Sequence, residues 1–234
     1  MRQVAIALTL TLALAAPLTA QQQPGADGGP TQAQVQSADA EVPRLVELFE
    51  LKPGMTVADV GAGFGAWTIA FAQAVGPTGR VYSSDIPSSD IGEQQLASLR
   101  QTVTRQGLTN VTVVEAGERS TNLPAGCCDA ILIRDAYHHL TAPGDITSSL
   151  AAALKPGGRL VVVDFPPRPD TDVPEGVPAN RGGHGVPPDV VVAEVTAAGL
   201  THVSTNAQWS GTPERPNSYG NTDPNSLFLT LFRK

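Results

Sequence analysis

The 234-residue sequence predicts an α/β three-layer sandwich, with helices covering both faces of a seven-stranded, mostly parallel sheet. Three observations predict it. From about residue 42 onward, short apolar runs rich in Val and Ile alternate with stretches of helical periodicity, the pattern of successive βαβ units. Val57-Ala58-Asp59-Val60 opens straight into Gly61-Ala62-Gly63-Phe64-Gly65 and a helical stretch from Ala66, a strand, turn and helix that bring backbone close to a ligand. Leu160-Val161-Val162-Val163 is unbroken apolar sequence, as a strand covered on both faces requires.

The first twenty residues stand apart from this fold. Met1-Arg2-Gln3 is a short cationic start, residues 4–16 are almost continuously apolar, and Ala20 is a small residue before Gln21. That is the pattern of a secretory signal peptide cleaved near Ala20. The apolar run is shorter than the ~20 residues a spanning helix needs. The expectation is therefore an exported protein, periplasmic or secreted, with no stable membrane anchor after cleavage; a tether by an uncleaved leader is the lesser reading. Residues 21–36 are Gln, Gly, Pro and small residues with too little apolar surface to offset the cost of ordering, a flexible linker before a domain spanning 37–234.

Order is expected to begin at residues 37–41, ahead of a helix carrying Val42, Leu45, Val46, Leu48, Phe49 and Leu51. The helix from Ala66 to Val75 stops at Gly76-Pro77-Thr78-Gly79, and Arg80-Val81-Tyr82-Ser83-Ser84 forms a strand closing on Asp85-Ile86. Asp90 and Glu93 have capping-box spacing, and Leu96, Leu99 and Val103 mark the buried stripe of the helix that follows. Val111 to Glu115 is a third strand leading to the polar loop 116–122, and Ala130-Ile131-Leu132-Ile133 is a fourth. A helix begins at Thr141-Ala142-Pro143, with Ile146, Leu150 and Leu154 as its apolar face, and Lys155-Pro156-Gly157-Gly158-Arg159 ends it before the strand from Leu160. Residues 166–188 are full of Pro, Gly and Asp and too long for a plain connector, so they form a candidate lid or substrate loop. Arg181 and His184 are its residues to test, each expected first as solvated loop. A helix with Val191, Val195 and Ala198 then leads to a strand at 201–205 and a last strand within 226–234.

Composition narrows the function. A net charge of −7, a pI near 5.0 and no run of Lys or Arg give no electrostatic reason to bind nucleic acid, so the expected partner is a small-molecule substrate. Cys127 and Cys128 are too few and too close for a zinc site, and adjacent side chains diverge, so no disulfide and no metal are expected; one cysteine is buried beside an exposed one.

Gly61-x-Gly63-x-x-Ala66 also satisfies a dinucleotide pattern, so a nicotinamide-dependent oxidoreductase is a rival reading. Asp59 separates the two. A carboxylate at the strand end repels a pyrophosphate and suits a ligand bearing an ammonium and a sulfonium, as S-adenosylmethionine does. Asp85 lies 20 positions beyond Gly65, where an acid accepts hydrogen bonds from a ribose. This stretch, with its lead-in Leu51-Lys52-Pro53-Gly54-Met55-Thr56, resembles the first motif of class I S-adenosylmethionine-dependent methyltransferases, and Leu154-Lys155-Pro156-Gly157-Gly158-Arg159-Leu160 resembles a second.

The resemblance, closest to the ubiquinone-biosynthesis type, spans about residues 42–234. It implies a Rossmann-like fold with an antiparallel last strand, S-adenosyl-L-methionine as cofactor, and small-molecule methyl transfer. It places the cofactor on Asp59, Gly61, Ala62, Gly63, Gly65, Asp85 and Ile86. Gly117 and Glu118 stand where the family usually has a Gly-Asp pair meeting the adenine. Arg134-Asp135-Ala136-Tyr137-His138-His139-Leu140 resembles the fourth motif, at the mouth of the active site. There His138 or His139 is a candidate base, with Asp135 orienting it or serving in its place. A third reading, a binding module that holds the cofactor without turnover, also remains open.

Overall fold

The computed structural model describes residues 24–87, 90–168, 171–209 and 227–234. The signal-peptide reading lies outside them, as does the side chain of Asp90 and with it the capping box. No helix among the described residues is long and apolar enough to cross a membrane.

Seven strands form one sheet: β1 (Thr56–Val60), β2 (Arg80–Asp85), β3 (Val111–Glu115), β4 (Cys128–Arg134), β5 (Leu154–Asp164), β6 (Thr201–Asn206) and β7 (Phe228–Arg233). Their spatial order is β3-β2-β1-β4-β5-β7-β6, with β1 to β5 pairing in parallel and β7 antiparallel to both neighbours. The helices are α1 (Gln32–Phe49), α2 (Ala66–Val75), α3 (Asp90–Arg105), α4 (Pro143–Ala153) and α5 (Pro188–Ala197).

Strand alternation sorts the core onto two faces. Val57, Ala130, Leu132, Val161 and Val163 pack under α1 and α2 with Leu45, Phe49, Trp67 and Phe71. Ala58, Val60, Ile131, Ile133, Leu160 and Val162 pack on the other face with Leu150 of α4 and Val191 and Val195 of α5. Every residue of the edge strand β6 is exposed, and its polar sequence, Thr-His-Val-Ser-Thr-Asn, suits that place.

Four expectations are corrected. The chain is helical from Gln32, inside the stretch read as linker, because Thr31 and Gln34 close a reciprocal capping box, each side chain bonding the other's backbone N–H. Strand β5 runs back through Lys155-Pro156-Gly157-Gly158-Arg159, where a helix stop was expected, with a register shift against β4 between Cys128 and Ala130. Cys127 and Cys128 are disulfide-bonded to each other. Their Cα atoms are only 3.7 Å apart, below the usual span, so the bond closes a ring of two adjacent residues and no long loop. Arg181 is fully buried and not solvated: it pairs with Glu194 of α5 at 3.0 and 3.1 Å, and Tyr137 donates to the same carboxylate at 2.9 Å.

Candidate active site

The carboxyl ends of β1, β2, β4 and β5 open onto a cavity of about 500 Å³, a size suited to a small ligand. It lies where the strand order reverses, between β1 and β4, as open α/β sheets place their ligands. Its lining includes Asp59, Gly61, Ala62, Gly63, Gly65, Asp85, Ile86, Glu118, Asp135, His138 and His139. Gly117 is not part of that wall; it pairs instead with Ser120 across the loop after β3, and Ala116 lines the cavity beside Glu118.

The glycine loop is held from below. Gly61 and Ala62 donate to the Ser84 carbonyl at 2.8 and 3.1 Å, and Gly63 donates to Asp85 Oδ2 at 2.7 Å. All three glycines have positive φ, but they serve different neighbours. A Cβ on Gly61 would meet Ala136 at 2.5 Å and one on Gly65 would meet Leu99 at 2.6 Å, whereas Gly63 has nothing nearer than 3.8 Å. The outer glycines thus permit close packing of the loop on the turn after β4 and on α3, and Gly63 is the one that leaves room beside the cavity.

Asp59 is buried and accepts a 2.6 Å bond from Thr68, whose hydroxyl also meets Ser83 at 2.6 Å. Burial pushes its pKa up to about 6, the Asp85 charge adds to the rise, and the Thr68 bond and Arg134 oppose it. Asp85 is also raised, by burial, against hydrogen bonds from Ile86 and Gly63. Two carboxylates next to the glycine loop are therefore short of positive charge.

Asp135 turns the chain after β4 at φ 57°, a left-handed conformation that few residues other than Gly, Asn and Asp adopt, and strain of this kind collects at functional sites. The next turn, Tyr137–His139, presents its imidazoles to the cavity. His138 is buried; its Nδ1 lies 2.8 Å from Asp164 Oδ1, and its backbone N–H donates to Asp164 Oδ2 at 3.1 Å. Burial pushes His138 down, but the charge and hydrogen bond of Asp164, with Asp135 behind, outweigh it, so its pKa is raised. His139 is exposed to solvent on one side, yet the protein around it and the nearby His138 and His184 push it down to about 4. His184 is lowered as well, first by burial and then by His138 and Arg168.

One member of the site was not evident in the sequence, and another, His184, was singled out there but expected first as solvated loop. Asp164, fully buried at the end of β5, has as its only sequence signal an acid closing an apolar strand, the same signal carried by Asp59 and Asp85. His184 arrives from the loop expected to form a lid, together with Arg168, Pro174, Glu175 and Val177, which also line the cavity.

Comparison with known proteins agrees with this architecture. Residues 57–158 match the family described as "Methyltransferase domain". The ubiquinone/menaquinone biosynthesis C-methyltransferase UbiE of Ectopseudomonas mendocina is 35% identical over 123 residues, 51% of this chain and 45% of that protein. The chain thus spans about half the length of the curated relatives it matches. Among solved structures, an S-adenosylmethionine-dependent methyltransferase from Aquifex aeolicus superposes with a TM-score of 0.62 at 22% identity, covering 85% of this chain and 92% of that one. Phosphoethanolamine N-methyltransferase 2 of Haemonchus contortus, crystallised with S-adenosyl-L-methionine, gives 0.60 at 15% identity, covering 83% and 52%. At these identities the superpositions establish the fold alone. Residues 57–158 are thus similar to a methyltransferase domain, and the fold is one that solved S-adenosylmethionine-dependent methyltransferases share.

Proposed function

We propose that this protein transfers a methyl group from S-adenosylmethionine to a small hydroxylated ring compound. The observation that carries the reading is Asp59, a buried, under-compensated carboxylate on the wall of the cavity beside the glycine loop. An ammonium supplies the missing positive charge; a pyrophosphate would add to the deficit. On this reading Glu118 and Ala116 after β3 flank the adenine, Asp85 at the end of β2 takes the ribose, Asp59 near the end of β1 and Gly61 just beyond it take the methionine part, and the residues after β4 and β5 face the acceptor.

Methyl transfer is an in-line displacement: the bond from methyl carbon to sulfur breaks with its electron pair going to sulfur, and the acceptor's lone pair or π-electrons form the new bond. The leaving thioether is neutral, so alignment in a dry pocket is the main requirement. A flat acceptor is favoured by the rings at that end, where His138 lies 4.0 Å from His139 and 4.5 Å from Phe165, centroid to centroid. The names of the curated relatives, C-methyltransferases of quinone biosynthesis, support the same class.

Calorimetric titration tests the donor side. S-adenosylmethionine is expected to bind and NAD not to, and Asp85→Asn is expected to weaken the former about tenfold, the scale of one charge-assisted hydrogen bond. A labelled-methyl assay over phenols, quinols, thiols and amines tests the acceptor side. Label entering phenols or quinols supports the reading, and binding without transfer to any of them would mark a module without turnover.

A further inference from the structure

Three of the chain's four histidines meet at the acceptor end of the cavity, although His184 lies 45 positions from His139 in sequence. His138, His139 and His184 each offer a ring nitrogen, and these nitrogens all lie within 4.8 Å of one another. Their ring centroids are 4.0, 5.0 and 5.4 Å apart. We infer that His138, His139 and His184 form a three-imidazole site for a divalent transition-metal ion of the zinc class, its remaining coordination position turned toward the acceptor.

Several independent features fit a metal. The Asp164 carboxylate holds His138 by Nδ1, which leaves Nε2 as the nitrogen to ligate; a carboxylate behind a histidine is the usual support of a metal-bound imidazole. Nε2 of His184 is buried and has no hydrogen-bond partner, a costly arrangement for a polar atom unless something else engages it. The chain also goes to conformational expense to deliver this ring. His184 sits in Gly182-Gly183-His184-Gly185, where Gly183 and Gly185 adopt φ of 137° and 128° and pass so close to residues 166–168 that a Cβ would meet Arg168 O at 2.2 Å and Pro166 O at 2.7 Å. Backbone pairing of Arg168 with His184 then fixes the loop against the end of β5.

Charge and distance are also compatible. Asp164 and Asp135 supply negative charge at His138 and Arg168 opposes it, so the carboxylates outnumber the guanidinium. A zinc–nitrogen bond of ~2.0–2.1 Å puts tetrahedral ligand atoms about 3.3 Å apart, so the imidazoles need only small side-chain rotations to close on an ion. Nitrogen-only donors select zinc, copper, nickel or iron over magnesium and calcium. With three protein ligands the fourth position takes a water or the acceptor's oxygen, which coordinates as the phenolate after its proton leaves to solvent. That last role rests on the methyltransferase reading; the metal site itself does not.

The test uses tag-free protein, stripped with a chelator and kept free of reductant so that Cys127 and Cys128 stay paired. Titration with zinc sulfate by calorimetry, and with cobalt chloride by visible absorbance, is expected to show one equivalent bound. His139→Ala and His184→Ala are each expected to weaken binding at least tenfold, and Asp164→Asn tenfold to a hundredfold through His138. His202→Ala, outside the cluster, is expected to change nothing. Circular dichroism confirms that each variant is folded, and Gly183→Ala, which displaces the loop and leaves all three imidazoles in the chain, is expected to weaken the metal as His184→Ala does. Absence of a stoichiometric site, or equal affinity in His184→Ala and the parent, overturns the inference. S-adenosylmethionine binding is measured separately on the metal-free protein: if it holds while metal binding fails, only the metal site falls, and the converse removes only the donor assignment.

Discussion

Asp59→Asn is expected to stabilise the ligand-free protein at pH 7 by roughly 2–3 kcal/mol while weakening S-adenosylmethionine binding tenfold or more. The two effects have one cause. In the unfolded chain Asp59 titrates near 3.8; in the folded protein burial, helped by the Asp85 charge, raises it to about 6. A folded-state pKa above the unfolded one means the fold binds the proton more tightly. The associated stability is fully present below pH 3.8, is lost as pH rises through about 6, and stays lost above it. Asparagine carries no charge to desolvate and still accepts the Thr68 hydroxyl, so the variant escapes that loss.

The binding side has the opposite sign. An ammonium needs the ionised carboxylate, so donor affinity in the parent protein is expected to fall as pH drops below about 6, and in Asp59→Asn that dependence should flatten. Thermal denaturation from pH 4 to 8, with and without ligand, measures both. A variant that is less stable than the parent at pH 7, or that binds S-adenosylmethionine equally well, would remove Asp59 from the site.

The second large effect belongs to Glu41, on α1. Its carboxylate is buried and takes three hydrogen bonds from three separate parts of the chain: Trp67 Nε1 of α2 at 2.8 Å, Arg134 Nε of β4 at 2.7 Å and Trp209 Nε1 at 2.5 Å. Arg134 also stacks on the Trp67 ring at 3.9 Å, and Arg44 on Trp209 at 3.7 Å. Replacing Glu41 by Leu leaves two indole N–H groups and a guanidinium buried without this acceptor. Removing one side of a buried ion pair costs about 3–5 kcal/mol, or about 10 °C in melting temperature for a domain of this size. Trp67 and Arg134 also line the cavity, so donor affinity should fall with stability. Adding Arg134→Met to Glu41→Leu is expected to recover part of the loss, because the charge left behind is then gone. A melting temperature for Glu41→Leu within about 2 °C of the parent would show the cluster to be ornamental.

Much of this molecule is legible in its one-dimensional order. Helix α2 and strands β2 and β3 follow the expected bounds because their signals are local: a glycine turn before, a Gly-Pro stop after, alternating β-branched residues between. Asp59 and Asp85 face the cavity as expected, since an acid closing a parallel strand lies at the end where such sheets bind ligands. The start of α1 was legible too, through Thr31 and Gln34, but low apolar content argued for a linker, and the capping box with the burial of Ala38 in the core prevailed.

The chain's periodicity, turn residues and glycine spacing dictate a parallel sheet with a glycine-lined cleft at the ends of β1 and β2, since each of those signals acts within a few residues of itself. Folding alone decides which distant side chains share a space. Glu41 meets Arg134 across 93 positions and Trp209 across 168, and His184 reaches His138 only because Gly183 and Gly185 let one loop lie against another. Such meetings depend on how helices and loops stack over the sheet, a matter of shape and burial that no local pattern of residues encodes.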